Sequence, residues 1–142
     1  MKKYRVTHMV RPEHLNHHEN HYAGRAAEWM MEASFVAINL EYGVPDGILY
    51  KNTHSFEFNK SIYPGDIISY ETMIVRLGKS SVTIHVSIVN DMTGETHAEG
   101  YTTFVTIDPA TKRPTPSGLV LDETTDADEL AWREKANSFF AK

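Results

Sequence analysis

A chain of 142 residues suffices for one domain with a sizeable core, and 41% hydrophobic and 23% charged residues are ordinary for a globular protein. A net charge of −5, with no basic run and no interleaved aromatic-basic stripe, argues against nucleic acid as the main partner, though a local Lys/Arg cluster can still hold an anion. The absence of cysteine excludes a disulfide scaffold and a thiol nucleophile and suits a reducing cytoplasm.

Met1 to Val10 lacks the apolar centre of a signal peptide, and no run approaches the roughly 18 apolar residues of a membrane span. The expectation is a cytoplasmic single domain without membrane attachment. Lys3 to Val10 alternates, with Tyr4, Val6, His8 and Val10 on one face, and reads as a first strand ended by Arg11-Pro12. Residues 12–23 are polar and aperiodic, a loop dense in His14, His17, His18 and His21. From Gly24 to Leu40 the residues Ala26, Ala27, Met30, Ala33, Phe35, Val36, Ala37 and Leu40 cover more than one narrow stripe, which predicts a helix enclosed by a sheet. Gly43, Pro45 and Gly47 stop it.

Four extended segments follow. Residues 48–62 put Phe56 and Phe58 opposite Glu57, and Pro64-Gly65-Asp66 is a turn signal. Residues 67–77 and 80–90 flank a Gly78-Lys79 break, the second alternating strictly through Val82, Ile84, Val86 and Ile88. Asp91 to Gly94 reads as a hairpin turn into residues 95–107, with Ala98, Gly100, Thr102 and Phe104 on one face. Short turns between consecutive strands predict a half-buried antiparallel meander. Residues 108–121 are Pro-rich and irregular, and 125–140 predict a polar helix anchored by Leu130, Ala131 and Phe139, with Asp126 near its start. The order implies an α+β fold, an antiparallel five-stranded sheet with one long helix on one face. Residues 1–121 make the domain, and 122–142 add a C-terminal helix packed on it.

Several of these runs belong together. Asn16-His17-His18, Tyr22-Ala23-Gly24, Trp29-Met30 and Glu32-Ala33 resemble the acyl-CoA thioesterases of the hotdog fold. So do Tyr63-Pro64-Gly65-Asp66, Leu77-Gly78-Lys79-Ser80-Ser81-Val82, Gly94-Glu95, Phe104-Val105 and Asp108-Pro109; the likeness spans roughly residues 1–116. The resemblance implies a sheet wrapped around a central helix and hydrolysis of an acyl-CoA thioester to the free acid and coenzyme A. It also implies a homodimer or larger assembly, joined edge to edge with active sites in the interface, and no metal or other cofactor. Three positions depart from the family's pattern. Glu19 replaces a Gly, Ala23 replaces the first Gly of a pair, and Met31 stands at the position of the catalytic acid. Glu32 follows one residue, about 100° of helix, later. Either the helix start shifts so that Glu32 serves, or Glu28 on the same face takes the role, or activity is lost.

The chemistry needs a polarised carbonyl and an activated water or carboxylate nucleophile. Gly24 N–H at the helix start suits the carbonyl, Glu32 or Glu28 suits the base or nucleophile, and by resemblance Asn16 orients the water. His17 is a catalytic or positioning group on this reading, and His18, Tyr22 and Ala23 lie against substrate. Gly78, Lys79, Ser80 and Ser81, with Lys112 and Arg113, suit the phosphates of coenzyme A. Each feature has a plainer reading. Glu28 and Glu32 can be a solvated face paired with Arg25, the histidines can be loop residues, and the basic residues can be ordinary turns. His14, His17, His18 and His21 match no metal-ligand spacing, and His54, His85 and His97 read as strand residues without chemistry. Two rival classes stay open, a non-catalytic acyl-CoA-binding domain and a hotdog hydratase or dehydratase, whose His-Phe-Pro motif is absent here.

Overall fold

A computed structural model describes residues 1–14 and 23–141. Its five strands are β1 (Lys3–Met9), β2 (Ile48–Phe58), β3 (Ile67–Leu77), β4 (Ser81–Asn90) and β5 (Thr96–Thr106); its α-helices are α1 (Ala23–Tyr42) and α2 (Ala127–Ser138). They form one antiparallel sheet in the order β1-β3-β4-β5-β2. The strands β3, β4 and β5 are the predicted meander, but β2 is not next to β3. It pairs with β5 at the far edge.

The linker length explains the difference. Neighbouring antiparallel strands need two to five residues of turn, whereas residues 59–66 separate β2 from β3. Extended, that link spans at most about 26 Å, ample for the roughly 14 Å of three strand spacings. Ile62, 1% exposed, anchors the crossover in the core. Gly65, at φ +88°, then turns the chain into β3, with its N–H donating to Val10 O at 2.9 Å. Only glycine takes that φ without strain.

The inner face of the sheet is apolar, with Ile68, Tyr70, Ile74, Val82, Ile84, Val86, Ile88, Ala98 and Phe104 all in one core. Ala26, Trp29, Met30, Ala33, Ala37 and Ile38 of α1 press into it. The Tyr70 hydroxyl donates to Ala26 O at 3.2 Å, both buried, which fixes the first turns of α1 over β3. The predicted breadth of the helix's apolar surface is present, save one i,i+4 row, Gly24, Glu28, Glu32, Val36 and Leu40, which stays exposed.

The outer face is covered too. Trp132, Ala136 and Phe139 lie over Met73, Val75 and Tyr101, so β4 is buried along nearly its whole length instead of on one side. Asp126 caps α2 by accepting from Glu129 N–H at 2.8 Å. Of the predicted anchors only Phe139 serves, because Leu130 and Ala131 are exposed. Trp132, Ala136 and Phe139, at i,i+4 and i,i+3 steps, make the contact face. No helix among the described residues is long and apolar enough to cross a membrane.

His85 is 1% exposed, stacked on Trp132 with ring centres 4.0 Å apart, and its Nε2 lies 3.0 Å from Glu99 Oε2. Burial is the main influence and holds the imidazole below its ordinary value near 6.5, against the opposing pull of Glu99. The folded state therefore favours the neutral ring. The stability this contributes is complete above about pH 6.5 and is lost as pH falls below it. The melting temperature should drop between pH 7 and pH 5, and the His85→Leu variant should show a shallower drop whatever its stability at pH 7. An unchanged slope in that variant would remove His85 from the account.

On β2, Ser55 at φ +50° breaks the register between His54 and Glu57 and brings Phe56 over Gly100. A Cβ at Gly100 would lie 3.1 Å from Phe56 Cα and 3.2 Å from its ring. The Gly100→Ala variant should lose about 1–3 kcal/mol of stability through overpacking, measured as a lower denaturant midpoint at unchanged slope.

Candidate active site

The helix α1 starts at Ala23 with no acidic residue in its first turn, so its free N–H groups and positive end are not neutralised from within the helix. Gly24 is exposed in that turn. Glu28 is one turn on, its side chain 62% exposed, with a loose ion pair from Arg25 Nη1 at 3.5 Å. The plainer reading of Glu28 is therefore present in the structure. Among the described residues, Arg25 Nε is buried without a hydrogen-bond partner. Glu32, a further turn along, is also exposed.

The faces of α1 are not equivalent. Phe35 packs on Phe104 with ring centres 4.8 Å apart, and Phe104 in turn meets Tyr50 of β2 at 6.2 Å. The row Ala27, Met31, Phe35 thus faces the β2 side, and it carries no carboxylate. Trp29 turns the other way, towards β1, where it stacks on His8, and the charge of Glu32 favours a proton on that ring.

That side holds a cluster on which the sequence reading placed no chemistry. The His8 ring is stacked on Trp29, centres 3.9 Å apart and 2° from parallel, with its edge to Tyr70 at 5.9 Å. His14 meets the same indole edge-on at 4.7 Å and accepts from Arg11 N–H through Nδ1 at 3.1 Å. A cavity of about 290 Å³ opens among Thr7, His8, Met9, Arg11, His14 and Trp29. Burial holds both imidazoles below their ordinary value; Glu32 partly opposes this at His8, and Arg11 adds to it at His14. Both rings therefore favour the neutral form, which can accept a proton. The available signal was the alternation of β1, which puts His8 on the same inward face as Val6 and Val10.

The predicted phosphate residues form a second group. Gly78 N–H donates to Ser81 O at 2.9 Å, closing the β3–β4 hairpin on Lys79 and Ser80, with Lys79 exposed. Ser80 O accepts from Thr106 N–H at 2.9 Å. Just past Thr106, a loop is closed by Asp108 N–H on Arg113 O at 2.9 Å and Lys112 N–H on Asp108 O at 2.8 Å, leaving Lys112 and Arg113 exposed. The two basic stretches thus meet at one end of the sheet.

They do not meet the helix start. β3 runs from Ile67, beside Met9, to Leu77 at the basic end, and Gly47, shortly after the last turn of α1, accepts there from Ile107 N–H at 2.8 Å. A 20-residue helix is about 30 Å long, so Gly24 and Glu28 lie at the opposite end of the same chain from Gly78 to Ser81, Lys112 and Arg113. Asn16, His17, His18 and Tyr22 lie outside the described residues. Of Ala23, only its place at the start of α1 is described.

Known proteins share this architecture. An acyl-CoA hydrolase from Staphylococcus aureus, solved with butyryl coenzyme A, coenzyme A and coenzyme A disulfide, superposes with a TM-score of 0.84 at 27% identity, over 96% of this chain and 80% of that one. An acyl-CoA hydrolase from Bacillus cereus gives 0.81 at 19% identity, over 97% and 84% of the two chains. An apo hexameric acyl-CoA thioesterase gives 0.78 at 22%, over 96% and 86%. The latter two likenesses speak for the hotdog fold alone. No curated protein matches the chain. The family described as the thioesterase superfamily matches residues 20–97, more than half the chain, and the chain belongs to that family.

Proposed function

We propose that the protein hydrolyses acyl-CoA thioesters to the free acid and coenzyme A. The likeness to the Staphylococcus aureus acyl-CoA hydrolase, extending over nearly the whole chain, carries this reading. The exposed start of α1 supports it, because N–H groups there suit a developing oxyanion. On this reading Gly24 N–H polarises the thioester carbonyl while Glu32, or Glu28 in its place, takes a proton from water. The water oxygen bonds to the carbonyl carbon, the C–S bond breaks, and coenzyme A leaves as a thiolate that picks up the proton. Asn16 orients the water, and His17, His18, Tyr22 and Ala23 contact substrate. Gly78, Lys79, Ser80, Ser81, Lys112 and Arg113 bind phosphate.

The working unit on this reading is a homodimer or larger. β2 is an eleven-residue outer strand with Leu49 52% and Tyr50 43% exposed, and α1 leaves Leu40 63% exposed. Such an edge is a ready template for another strand. A second copy joined there covers these side chains and supplies from its own chain the basic end that is remote from Gly24.

A non-catalytic acyl-CoA-binding domain is the second reading, favoured by the carboxylate-free row of Ala27, Met31 and Phe35. Thiol release from short, medium, long and aromatic acyl-CoAs separates the two. The wild type should release thiol from at least one class, and Glu32→Gln or Glu28→Gln should slow it by about 10²–10⁴-fold with binding retained. No release from any class, with acyl-CoA still raising the melting temperature, would leave the binding domain.

A further inference from the structure

The cations of the outer face take no part in the reading above. Arg76, near the end of β3, holds its guanidinium carbon 4.0 Å from the centre of the Phe140 ring. Lys51 of β2 approaches the same ring, its Nζ 6.0 Å from the centre. The sheet between them is a polar floor: Arg76 is in register with Thr83, Thr83 with Thr103, and Thr103 with Asn52. The Thr83 and Thr103 hydroxyls are buried and 2.9 Å apart. Three strand spacings thus separate the two cations along the backbone, while one aromatic ring gathers their charges.

The guanidinium also reaches the β3–β4 turn, where Arg76 Nη1 lies 3.5 Å from Ser81 Oγ. The turn is shaped for it. A Cβ at Gly78 would collide with Ser81 Oγ and sit 3.1 Å from Arg76 Nη1. Arg5, Lys60 and Arg133 all pair with carboxylates. Among the described residues, Arg76 and Lys51 pair with none. Glu57 and Glu99 line a neighbouring groove with Lys135, Tyr101 and Trp132. Two cations without counter-ions, an aromatic ring and a turn rich in hydroxyl groups suit a ligand with phosphates and a flat base.

We propose that Arg76, Lys51 and Phe140, with the turn from Gly78 to Ser81, form a binding site for a phosphorylated nucleotide. Resting on the thioesterase reading, its occupant is the phosphorylated nucleotide end of coenzyme A. The site extends the predicted phosphate turn onto the outer face, under the end of the C-terminal helix.

Calorimetric titration of the full chain with adenosine 3′,5′-bisphosphate tests this without requiring any hydrolysis. The wild type should bind, and Lys51→Gln and Arg76→Gln should each weaken binding about 10- to 100-fold. Lys51 is exposed, so its variant keeps the test valid if Arg76→Gln folds poorly. In thiol-release assays the same substitutions should raise KM for an acyl-CoA by about tenfold or more, leave kcat nearly unchanged, and leave the pantetheine thioester of the same acid unaffected. Nucleotide binding lost in the variants with KM unmoved would keep the site but assign it to a free nucleotide. No binding by the wild type, or equal binding by both variants, would overturn the proposal. Absent hydrolysis with nucleotide binding intact would count against the thioesterase reading alone.

Discussion

The burial of α1 against the inner face of β3, β4 and β5 is the contact on which the rest of the molecule depends. Each fully buried Ile, Val or Phe in that layer contributes about 1.5–3 kcal/mol, and the layer includes Ile38, Ile68, Ile84, Ile88 and Phe104. No other element has an apolar surface of that breadth. The edge strands β1 and β2 flank that layer, and α2 covers its outer face. The bond from Tyr70 to Ala26 O shows how local the constraint is, since it ties the first turns of the helix, where the exposed N–H groups lie, to the centre of β3.

That constraint divides the candidate site residues. A straight helix lying along the strands has its two ends at opposite ends of the sheet. The residues suited to a carbonyl and those suited to phosphates therefore sit far apart in one chain. Their separation makes the exposed β2 edge and the exposed Val36 and Leu40 part of the functional question. A subunit joined at that edge, as proposed above, would change what a single chain can bind.

Much of this is legible in residue order, and the misses have identifiable causes. The i,i+3 and i,i+4 pattern from Ala26 to Leu40 reveals the core helix because apolar spacing is a local signal. The alternation from Val82 to Ile88 reveals a strand in the same way. The place of β2 beside β5 is non-local, and only the eight-residue link from Asn59 to Asp66 hints at it. For α2 the contact residues are Trp132 and Ala136, which a polar helix does not advertise until the outer face of the sheet is known. The pairing of His8 with Trp29 is likewise a meeting of a strand and a helix, and neither pattern alone contains it. Glu28 and Glu32 could be placed on one helical face from spacing, but whether that face looks at β1, β2 or solvent depends on how the helix is rolled on the sheet.

The roll of the helix and the screening of charge together explain how an acidic protein can have a basic end. Glu28 and Glu32 stand on the first half of α1, whereas near its other end Lys51, Arg76, Lys79, Lys112 and Arg113 outnumber Glu41, Asp46 and Asp108. Charges act over about 8 Å at physiological ionic strength, less than a third of the roughly 30 Å length of the helix. The carboxylates near the helix start therefore do little to the potential at the turn from Gly78 to Ser81, and the net −5 averages over environments that barely interact. Within one chain, the carboxylates at the helix start and the cations at its far end therefore keep their own surroundings, and only contact between chains would bring the two kinds of charge to one ligand.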